Sequence, residues 1–371
     1  MRNRFTERRC GPIATIRDVA QRAGVSTTTV SHILNNTRFV SDELRNKVFL
    51  AIKEFNYQPY GLARSLRTKQ TNTIGMIIPD NTNPYFAEVA RGIEDICFRL
   101  NYSVIMCNSG SDPRREADYL ELLIEKGVDG LAFVSTGNDR SAVEILAHQD
   151  MPRIIVDREV TGVSIDAVLV DNLSGGCDAT RYLLSLGHRR IACITGPSLL
   201  NPSAQRVIGY EKALKEAGLP RDEELIVGGD FHSKSGYKAT RRLLNLSRPP
   251  TAIFACNDLM AFGVLYAAHE LGLKVPRQLS VVGFDDINLS SFSIPRLSTV
   301  AQPKYEIGRR AALRLVERIK NKELPRYREV LKTRLVIRDS CMAPNVRESG
   351  DALYGGSLND RGSEPSLGGN R

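Results

Sequence analysis

The sequence predicts an α/β protein with a small head of three helices, followed by a larger two-lobed body of doubly wound parallel sheets. Between residues 15 and 55, apolar side chains recur at helical spacing in three short groups. From residue 74 onward, short apolar runs alternate with longer amphipathic segments, which is the pattern of parallel strands covered by helices. The 371 residues suffice for more than one domain with its own core.

Each helix of the predicted head begins at a capping residue. Thr15 opens the first helix, Ser26 the second and Ser41 the third. Gly24 permits a tight turn between the first two helices. The residues predicted to form the core of this head are Ile16, Val19, Ala20, Ala23, Val25, Val30, Ile33 and Leu34. Residues 15–58 are therefore predicted to form a helix-turn-helix domain.

The body is expected to span residues 72–340. Its predicted strands are 74–78, 103–106, 130–134, 153–156, 191–195, 251–255 and 279–284. Two sheets fit this length, with a divide near residues 171–174. The predicted lobes are therefore approximately 72–172 with 302–327, and 173–301 with 328–340.

The remaining segments connect or extend these domains. Residues 59–71 are short and basic and begin at Pro59, so they are predicted to be a linker that is capable of forming a helix. Residues 1–14 and 341–371 are polar, without apolar periodicity, and are predicted to be a disordered extension and tail. Whether the first of these is a functional arm is left open.

Positive charge concentrates in the first fifth of the chain. Residues 1–70 hold thirteen Lys and Arg against five Asp and Glu, so eight of the nine net positive charges lie there. A small segment with that excess is typical of a module that binds nucleic-acid phosphates, although a basic disordered tail would have the same charge.

Composition argues against metal, membrane and enzyme classes. The seven cysteines are isolated from one another and from His, so we expect reduced thiols, no metal and no cofactor. No apolar run approaches the roughly 18 residues needed to span a bilayer, and the start MRNRFTERRC lacks the apolar segment of a signal peptide, which predicts a cytoplasmic protein. A P-loop, a dinucleotide-binding glycine motif and a nucleophile elbow are all missing, so an enzyme is disfavoured. The isolated residues His148, His188, His232 and His269 are interpreted as surface or capping residues.

The runs TIRDVAQRAGVSTTTVSHILNN, residues 15–36, and YQPYGLARSL, residues 57–66, resemble the head and hinge of the lactose/galactose repressor family. The resemblance continues to about Ser340, and the head is most similar to those of the family's purine and ribose repressors. The second helix of a helix-turn-helix enters the major groove by its N-terminal residues. The resemblance implies that Thr27, Thr28, His32 and Arg38 contact bases there, that Leu66 is an apolar wedge at the centre of a palindromic operator, and that Arg67 enters the adjacent minor groove. An ordinary core position remains the alternative for Leu66.

A two-fold operator requires a two-fold protein, so a homodimer joined through the body is expected. The family's lactose repressor reaches a tetramer through a C-terminal heptad helix. Residues 341–371 show no heptad pattern, so a tetramer is not expected by that route.

Polar and aromatic side chains follow several predicted strands, where ligands bind in open α/β sheets. They are residues 81–86, 157–158, 257–258 and 285–286. Together they supply hydrogen-bond donors and acceptors, charged partners and aromatic faces, which are the features of a sugar site. Helix capping is the alternative for any one of these Asn and Asp residues.

The body also resembles periplasmic ribose-binding proteins over roughly residues 73–337. That resemblance implies an effector site formed by Asn83, Tyr85, Phe86, Asp157, Arg158, Arg206, Phe231, Asn257, Asp285 and Gln302. Tyr85 replaces a Phe of those proteins. Leu200, Pro202 and Arg158 stand where purine repressors carry an Arg, a Thr and a Trp, which argues against a purine. The implied effector is D-ribose, or a close pentose or phosphopentose, bound between the lobes.

These expectations combine into a DNA-binding transcriptional repressor whose operator affinity is controlled by a small sugar. Sugar would favour a closed cleft, and closure would change the spacing of the lobes that hold the two hinges of the dimer. Whether the sugar weakens or strengthens operator binding stays open, because some family members use a corepressor. Two alternatives remain. One is a global catabolite regulator that is bound by a phosphocarrier protein, and residues 79–80 and 87–96 resemble that subfamily of regulators. The other is a sugar-binding receptor without a regulatory role.

Overall fold

The computed structural model describes residues 14–35, 38–57, 70–137, 140–160, 162–198 and 200–344. The predicted linker lies almost entirely outside these residues, and so do Leu66 and Arg67. The predicted N-terminal extension also falls outside, apart from its last residue.

The head consists of three helices, α1 (Ile16–Ala23), α2 (Thr27–Asn35) and α3 (Asp42–Glu54). Thr15 and Asp18 cap the first turn of α1 reciprocally, and Gly24 ends that helix in the left-handed conformation with φ of 69°. The Ser26 hydroxyl accepts a hydrogen bond from the Thr29 amide at the start of α2 (3.0 Å). The side chains that close the core are Val19, Ala20, Val30, Ile33, Val48, Ala51 and Tyr57.

The first lobe contains a six-stranded parallel sheet in the order β11-β5-β4-β3-β1-β2. Its strands are β1 (Thr73–Ile78), β2 (Ser103–Asn108), β3 (Gly130–Phe133), β4 (Arg153–Asp157), β5 (Asp166–Val170) and β11 (Arg328–Leu331). Helices α4 (Pro84–Arg99) and α11 (Lys304–Lys320) cover one face, and α5 (Pro113–Glu125) and α6 (Arg140–His148) cover the other. Both faces are therefore buried, as a doubly wound sheet requires.

The second lobe repeats this plan with the strand order β7-β6-β8-β9-β10-β12. Its strands are β6 (Ile191–Thr195), β7 (Ile226–Gly228), β8 (Ala252–Ala255), β9 (Ser280–Asp285), β10 (Ser298–Ala301) and β12 (Arg334–Val336), of which β12 alone within this sheet is antiparallel to its neighbour. The helices are α7 (Asn172–Ser185), α8 (Asn201–Glu216), α9 (Ser233–Leu244) and α10 (Asp258–Glu270). The predicted two-lobed, doubly wound architecture is confirmed.

The chain crosses between the lobes at Asp171, near Gln302 and between β11 and β12. The first crossing lies within residues 171–174, where the divide was predicted. The last crossing differs from the predicted boundary at residue 328, because β11 hydrogen-bonds to β5 and so belongs to the first lobe. Its sequence, REVL, has two charged residues followed by two apolar ones, so the apolar-run criterion missed it.

The C-terminal end of the body extends past the predicted limit at residue 340. The carbonyl of Met342 contacts the His188 ring nitrogen Nε2 at 3.0 Å and accepts from the Ser280 hydroxyl at 3.0 Å. His188 is accordingly 1% exposed, so its interpretation as a surface or capping residue was wrong. Contacts with a distant strand fix this segment, and local polarity gave no sign of them.

Candidate functional site

A cleft of about 420 Å³ lies between the lobes, at the carboxyl ends of the parallel strands. Nine of the ten predicted effector residues line it, and Gln302 lies directly behind two of them. The described lining residues are Asp80, Asn83, Tyr85, Phe86, Ser111, Pro113, Thr136, Asp157, Arg158, Pro197, Leu200, Pro202, Arg206, Asp230, Phe231, His232, Asn257 and Asp285. The volume lies within the roughly 300–1,000 Å³ range of small-molecule sites.

A line of hydrogen bonds joins the two lobes at the base of the cleft. The Tyr85 hydroxyl of the first lobe donates to Asp157 Oδ1 at 2.5 Å and lies 3.2 Å from Gln302 Oε1. Gln302 is at a crossing between the lobes, and its Nε2 donates to Asp285 Oδ1 of the second lobe at 2.7 Å. The three side chains Tyr85, Gln302 and Asp285 therefore connect the walls of the cleft.

Arg206 is held rigidly in the second lobe. Its guanidinium donates to Asn172 Oδ1 (2.8 Å) and to the Cys256 carbonyl (2.6 Å), and lies 3.7 Å from Asp285. It also stacks 3.8 Å from the centroid of the Phe284 ring. Asn172, which orients Arg206, was not predicted, because it lies at the start of α7 and follows none of the strands found in the sequence.

Arg158 is the corresponding cation of the first lobe. It donates to the Ser135 carbonyl (2.9 Å), lies 3.8 Å from Asp157 Oδ2, and covers the Phe86 ring at 5.2 Å. Phe86 packs edge-on against Tyr85 with centroids 5.0 Å apart. The first lobe thus places the ion pair of Asp157 and Arg158 beside the packed rings of Tyr85 and Phe86.

The two predicted asparagines also serve as helix caps. Asn83 Oδ1 accepts from the Tyr85 amide (3.0 Å) at the start of α4, and Asn257 Oδ1 accepts from the Met260 amide (2.9 Å) at the start of α10. Asn257 Nδ2 donates to the Phe231 carbonyl (2.9 Å). Capping fixes these side chains while leaving them on the lining of the cleft.

Three of the lining residues adopt left-handed backbone conformations. The φ angle is 66° at Asp157, 69° at Phe231 and 113° at Asp285. Side chains other than glycine rarely occupy this region, and such residues cluster at ligand sites.

Burial changes the ionisation of the acidic and phenolic groups. Burial raises the pKa of Asp285 to about 7, against the opposing effect of Arg206. Burial, together with the neighbouring Asp157 carboxylate, raises the pKa of Tyr85 well above its ordinary value, so its hydroxyl keeps its proton. The charge of Asp285 therefore responds to pH near neutrality.

Several lining residues were not predicted, and a simple signal could have found three of them. Asp80, Ser111 and Thr136 lie at most three residues beyond the ends of β1, β2 and β3, where the strand-end rule applies equally. Lys304, whose ammonium donates to the Asp285 carbonyl at 2.9 Å behind the lining, lies three residues beyond β10, a strand that was not predicted.

The head presents the predicted DNA-contacting side chains on one helix and the turn that follows. Thr27 and Thr28 are exposed at the start of α2, and His32, about one turn later, is half-buried. Arg38 is exposed beyond the end of α2.

In the described parts of the chain, no group of three or more His, Cys, Asp or Glu could hold a metal ion. Among the same residues, no helix has the length and apolar character needed to cross a membrane.

Two segments match known families. Residues 15–60 match the family described as bacterial regulatory proteins, lacI family, and residues 180–341 match a periplasmic binding protein-like domain.

Two similar curated proteins are bacterial repressors. The chain is 44% identical over 329 residues to the ribose operon repressor of Escherichia coli (strain K12), covering 88% of this chain and 100% of that protein. It is 40% identical over 312 residues to the HTH-type transcriptional repressor PurR of Vibrio atlanticus (strain LGP32), covering 84% and 93%.

Solved structures of similar fold include complexes. The lac repressor dimer bound to operator and the anti-inducer ONPF has a TM-score of 0.81 at 29% identity, covering 89% of this chain and 99% of that one. A LacI family transcriptional regulator from Enterococcus faecium with bound ribose has a TM-score of 0.68 at 34% identity, covering 73% and 99%.

Proposed function

The chain belongs to the lacI family of bacterial regulatory proteins, and from that premise we propose that D-ribose, or a close pentose, controls its binding to operator DNA. The protein is a transcriptional repressor with a helix-turn-helix head. Thr27, Thr28 and His32 on α2, with Arg38 beyond it, are the residues proposed to contact bases in the major groove. Leu66 and Arg67 remain predictions for the centre of the operator.

The repressor is proposed to bind a palindromic operator as a homodimer. The lac repressor, similar over 89% of this chain, was solved as a dimer on its operator. Both lobes carry exposed apolar side chains that a second copy would cover: Phe98 (81% exposed) in the first lobe, and Phe292 (73%) and Ile294 (96%) in the second. Such side chains support dimerisation through the body.

The observation that carries the sugar proposal is the convergence of two Asp–Arg pairs from opposite lobes on one cleft. Asp157 with Arg158 and Asp285 with Arg206 present donors and acceptors, which sugar hydroxyls require together. Tyr85, Phe86 and Phe231 offer apolar faces for the ring. The ribose-bound relative from Enterococcus faecium and the 44% identical ribose operon repressor support a pentose.

The proposed mechanism couples sugar binding to operator release. A sugar held by residues of both lobes stabilises the closed cleft, and closure changes the spacing of the segments that lead to the two heads of a dimer. Sugar and operator then oppose each other's binding, because the coupling between two sites is reciprocal.

Isothermal titration of the full chain with D-ribose tests the effector. We expect micromolar binding, at least about a hundredfold weaker binding of 2-deoxyribose because a buried partner would be left without its hydrogen bond, and no binding of hypoxanthine. Arg158→Ala should abolish ribose binding, whereas Arg241→Ala, on the surface of α9, should not. A mobility-shift assay with a duplex selected by the protein from random sequences should show release by ribose.

Two outcomes would overturn parts of the proposal. Tighter operator binding in the presence of ribose would reverse the sign of the mechanism. Failure of every sugar to bind would favour a protein corepressor, such as the phosphocarrier of catabolite regulators, and would leave the DNA-binding function intact.

A further inference from the structure

We propose that the cleft accepts an uncharged pentose and excludes its phosphate ester, because carboxylates flank its mouth and both guanidinium groups on its described lining already have partners. This inference rests on the proposed function and specifies the effector of the same site. It is supported by the position of the mouth, the charges there and the protein partners of the two cations, together with the energetic cost of an unpaired phosphate.

Asp80 and Asp230 flank the mouth from opposite lobes. Asp80 follows β1 and is half-buried, while Asp230 follows β7 and is exposed, and both line the cleft. The less buried lining residues lie beside them: Ser111 and His232 are both exposed. The base of the cleft is formed by the buried residues Asp157 and Asp285, so a phosphate carried by a bound pentose would lie towards the mouth or towards the smaller opening beside Arg158.

Local hydrogen bonds hold the two mouth carboxylates in place. Asp80 Oδ1 accepts from the Thr82 amide (2.9 Å) and hydroxyl (2.6 Å). Asp230 Oδ1 accepts from the His232 amide (2.9 Å). Burial alone would raise the pKa of Asp230, but hydrogen bonds from Ser235 and His232 bring it below its ordinary value, so this carboxylate stays ionised at neutral pH.

The cations of the cleft are already engaged. Arg206 donates to Asn172 and to the Cys256 carbonyl and faces Asp285, and it is 4% exposed. Arg158 donates to the Ser135 carbonyl and faces Asp157. A smaller opening beside Arg158 also contains the carboxylate of Glu159. A phosphate would therefore have to compete with protein carboxylates or carbonyls for either cation.

A phosphate at the mouth would be repelled by both carboxylates, and the basic side chain beside them on the described lining is His232. A phosphate monoester carries about −1.5 to −2 charges at pH 7. Transfer of such an anion from water to a partly closed site is unfavourable unless cations and hydrogen bonds replace its hydration. Repulsion from fixed carboxylates adds to this, and neutral sugars escape it altogether.

The test compares D-ribose with D-ribose 5-phosphate by isothermal titration of the full chain. In the wild type we expect ribose 5-phosphate to bind at least about a hundredfold more weakly than ribose. Removing both mouth charges with the isosteric pair Asp80→Asn and Asp230→Asn should reduce that ratio by about tenfold, and high salt should reduce it in the wild type by screening. Asp118→Asn, which removes an exposed carboxylate from α5 outside the cleft, should leave the ratio unchanged.

The outcomes separate this inference from the function on which it rests. If ribose binds and ribose 5-phosphate binds within about tenfold of it, the exclusion is refuted while the pentose assignment stands. An unchanged ratio in the double variant would refute the role of the mouth carboxylates. If neither compound binds, the pentose assignment is overturned, and the inference falls with it.

Discussion

Asp285 is the residue at which the two lobes and the cleft meet. Its carboxylate accepts from Gln302 and faces Arg206, and its carbonyl accepts from Lys304. Burial in this position raises its pKa to about 7. Because the folded chain keeps this proton at pH values where the unfolded chain has lost it, the group lowers the stability of the fold as pH rises from about 4 to 7.

The same shift predicts how sugar affinity depends on pH. Hydroxyl donors of a bound sugar favour the ionised carboxylate, so binding lowers the pKa of Asp285 and releases a proton near neutrality. With a pKa of about 7, the ionised fraction rises about tenfold between pH 6 and pH 8, and ribose affinity should rise by up to the same factor. Titrations in buffers of different ionisation enthalpy would count the released protons. Affinity that stays flat or falls across this range would contradict the assignment.

At the scale of residues, the sequence predicted those cleft residues that come directly after a predicted strand. Asp157, Asn257 and Asp285 were found in this way, since parallel strands direct their carboxyl ends to one edge. Asn172 and Lys304 were not found, because they follow β5 and β10, two strands that were not predicted. Hydrogen bonds between residues 34 positions apart, such as Asn172 with Arg206, leave no local pattern.

Three helix pairs are packed through glycines that face each other's backbone. The pairs are Gly92 with Gly308 for α4 and α11, Gly176 with Gly209 for α7 and α8, and Gly236 with Gly263 for α9 and α10. A Cβ at Gly176 would lie 2.3 Å from the carbonyl oxygen of Arg206, and the other five positions would meet backbone equally closely. Such close approach is possible only without side chains.

A methyl group at the α7–α8 contact should therefore disturb the cleft from behind. We expect Gly176→Ala to lower the free energy of unfolding by about 1–3 kcal/mol through overpacking, and to weaken ribose binding by displacing Arg206. Gly228→Ala in β7, where a Cβ would meet nothing within 4 Å, is the matched control. Denaturant unfolding and ribose titration of both variants provide the measurements. Equal stability and affinity of the two variants would refute this account of the contact.

At the scale of elements, seven strands of the body were predicted from apolar runs, whereas β5, β7, β10, β11 and β12 were missed. Three of the missed strands lie at sheet edges: β7 and β12 have three residues each, and β11 has only two adjacent apolar residues, so none forms a long apolar run. Edge strands have one neighbour and a partly exposed surface, which weakens the apolar signal. The packing of helix on helix through paired glycines was not predicted either.

The first lobe holds the chain that emerges from the linker by one carboxylate. Asp129, just before β3, accepts from the Thr71 amide (2.7 Å) and hydroxyl (3.0 Å) and from the Asn72 amide (2.8 Å). The Thr71 hydroxyl also lies 3.0 Å from the Gly127 carbonyl. These hydrogen bonds fix Thr71 and Asn72 to the first lobe at the point where the chain enters it.

Removing this carboxylate should uncouple sugar binding from operator release. We expect Asp129→Ala to bind ribose normally, since it lies away from the cleft lining, while the ratio of operator affinities without and with ribose falls by about tenfold, within the usual range of coupling energies. Mobility-shift titrations at saturating ribose measure this ratio, with Asp118→Ala as the control. A ratio equal to that of the wild type would show that the coupling runs by another route.

For the whole molecule, the two-lobed architecture and the first crossing were predictable, since alternating strands and helices leave few topologies open. The return of β11 to the first sheet was not, because pairing with β5 joins residues 161 positions apart, as Arg328 with Ala167. The position of the head and the number of lobes follow from the pattern of apolar residues along the chain. The return of β11 to the first sheet follows from pairing between residues that are far apart in the sequence.

The left-handed backbone at Asp157, Phe231 and Asp285 restricts how a sensor of this kind can acquire a new specificity. At such positions β-branched and bulky replacements are penalised by the main chain before they meet any ligand, and Asn, Asp and Gly are favoured. Substitutions that change the ligand preference then have to be made at neighbouring lining residues whose backbone conformation is an ordinary one. Tyr85, Leu200 and Pro202 line the same cleft from helices or their caps. A combinatorial library aimed at another effector would therefore yield its working variants at these positions.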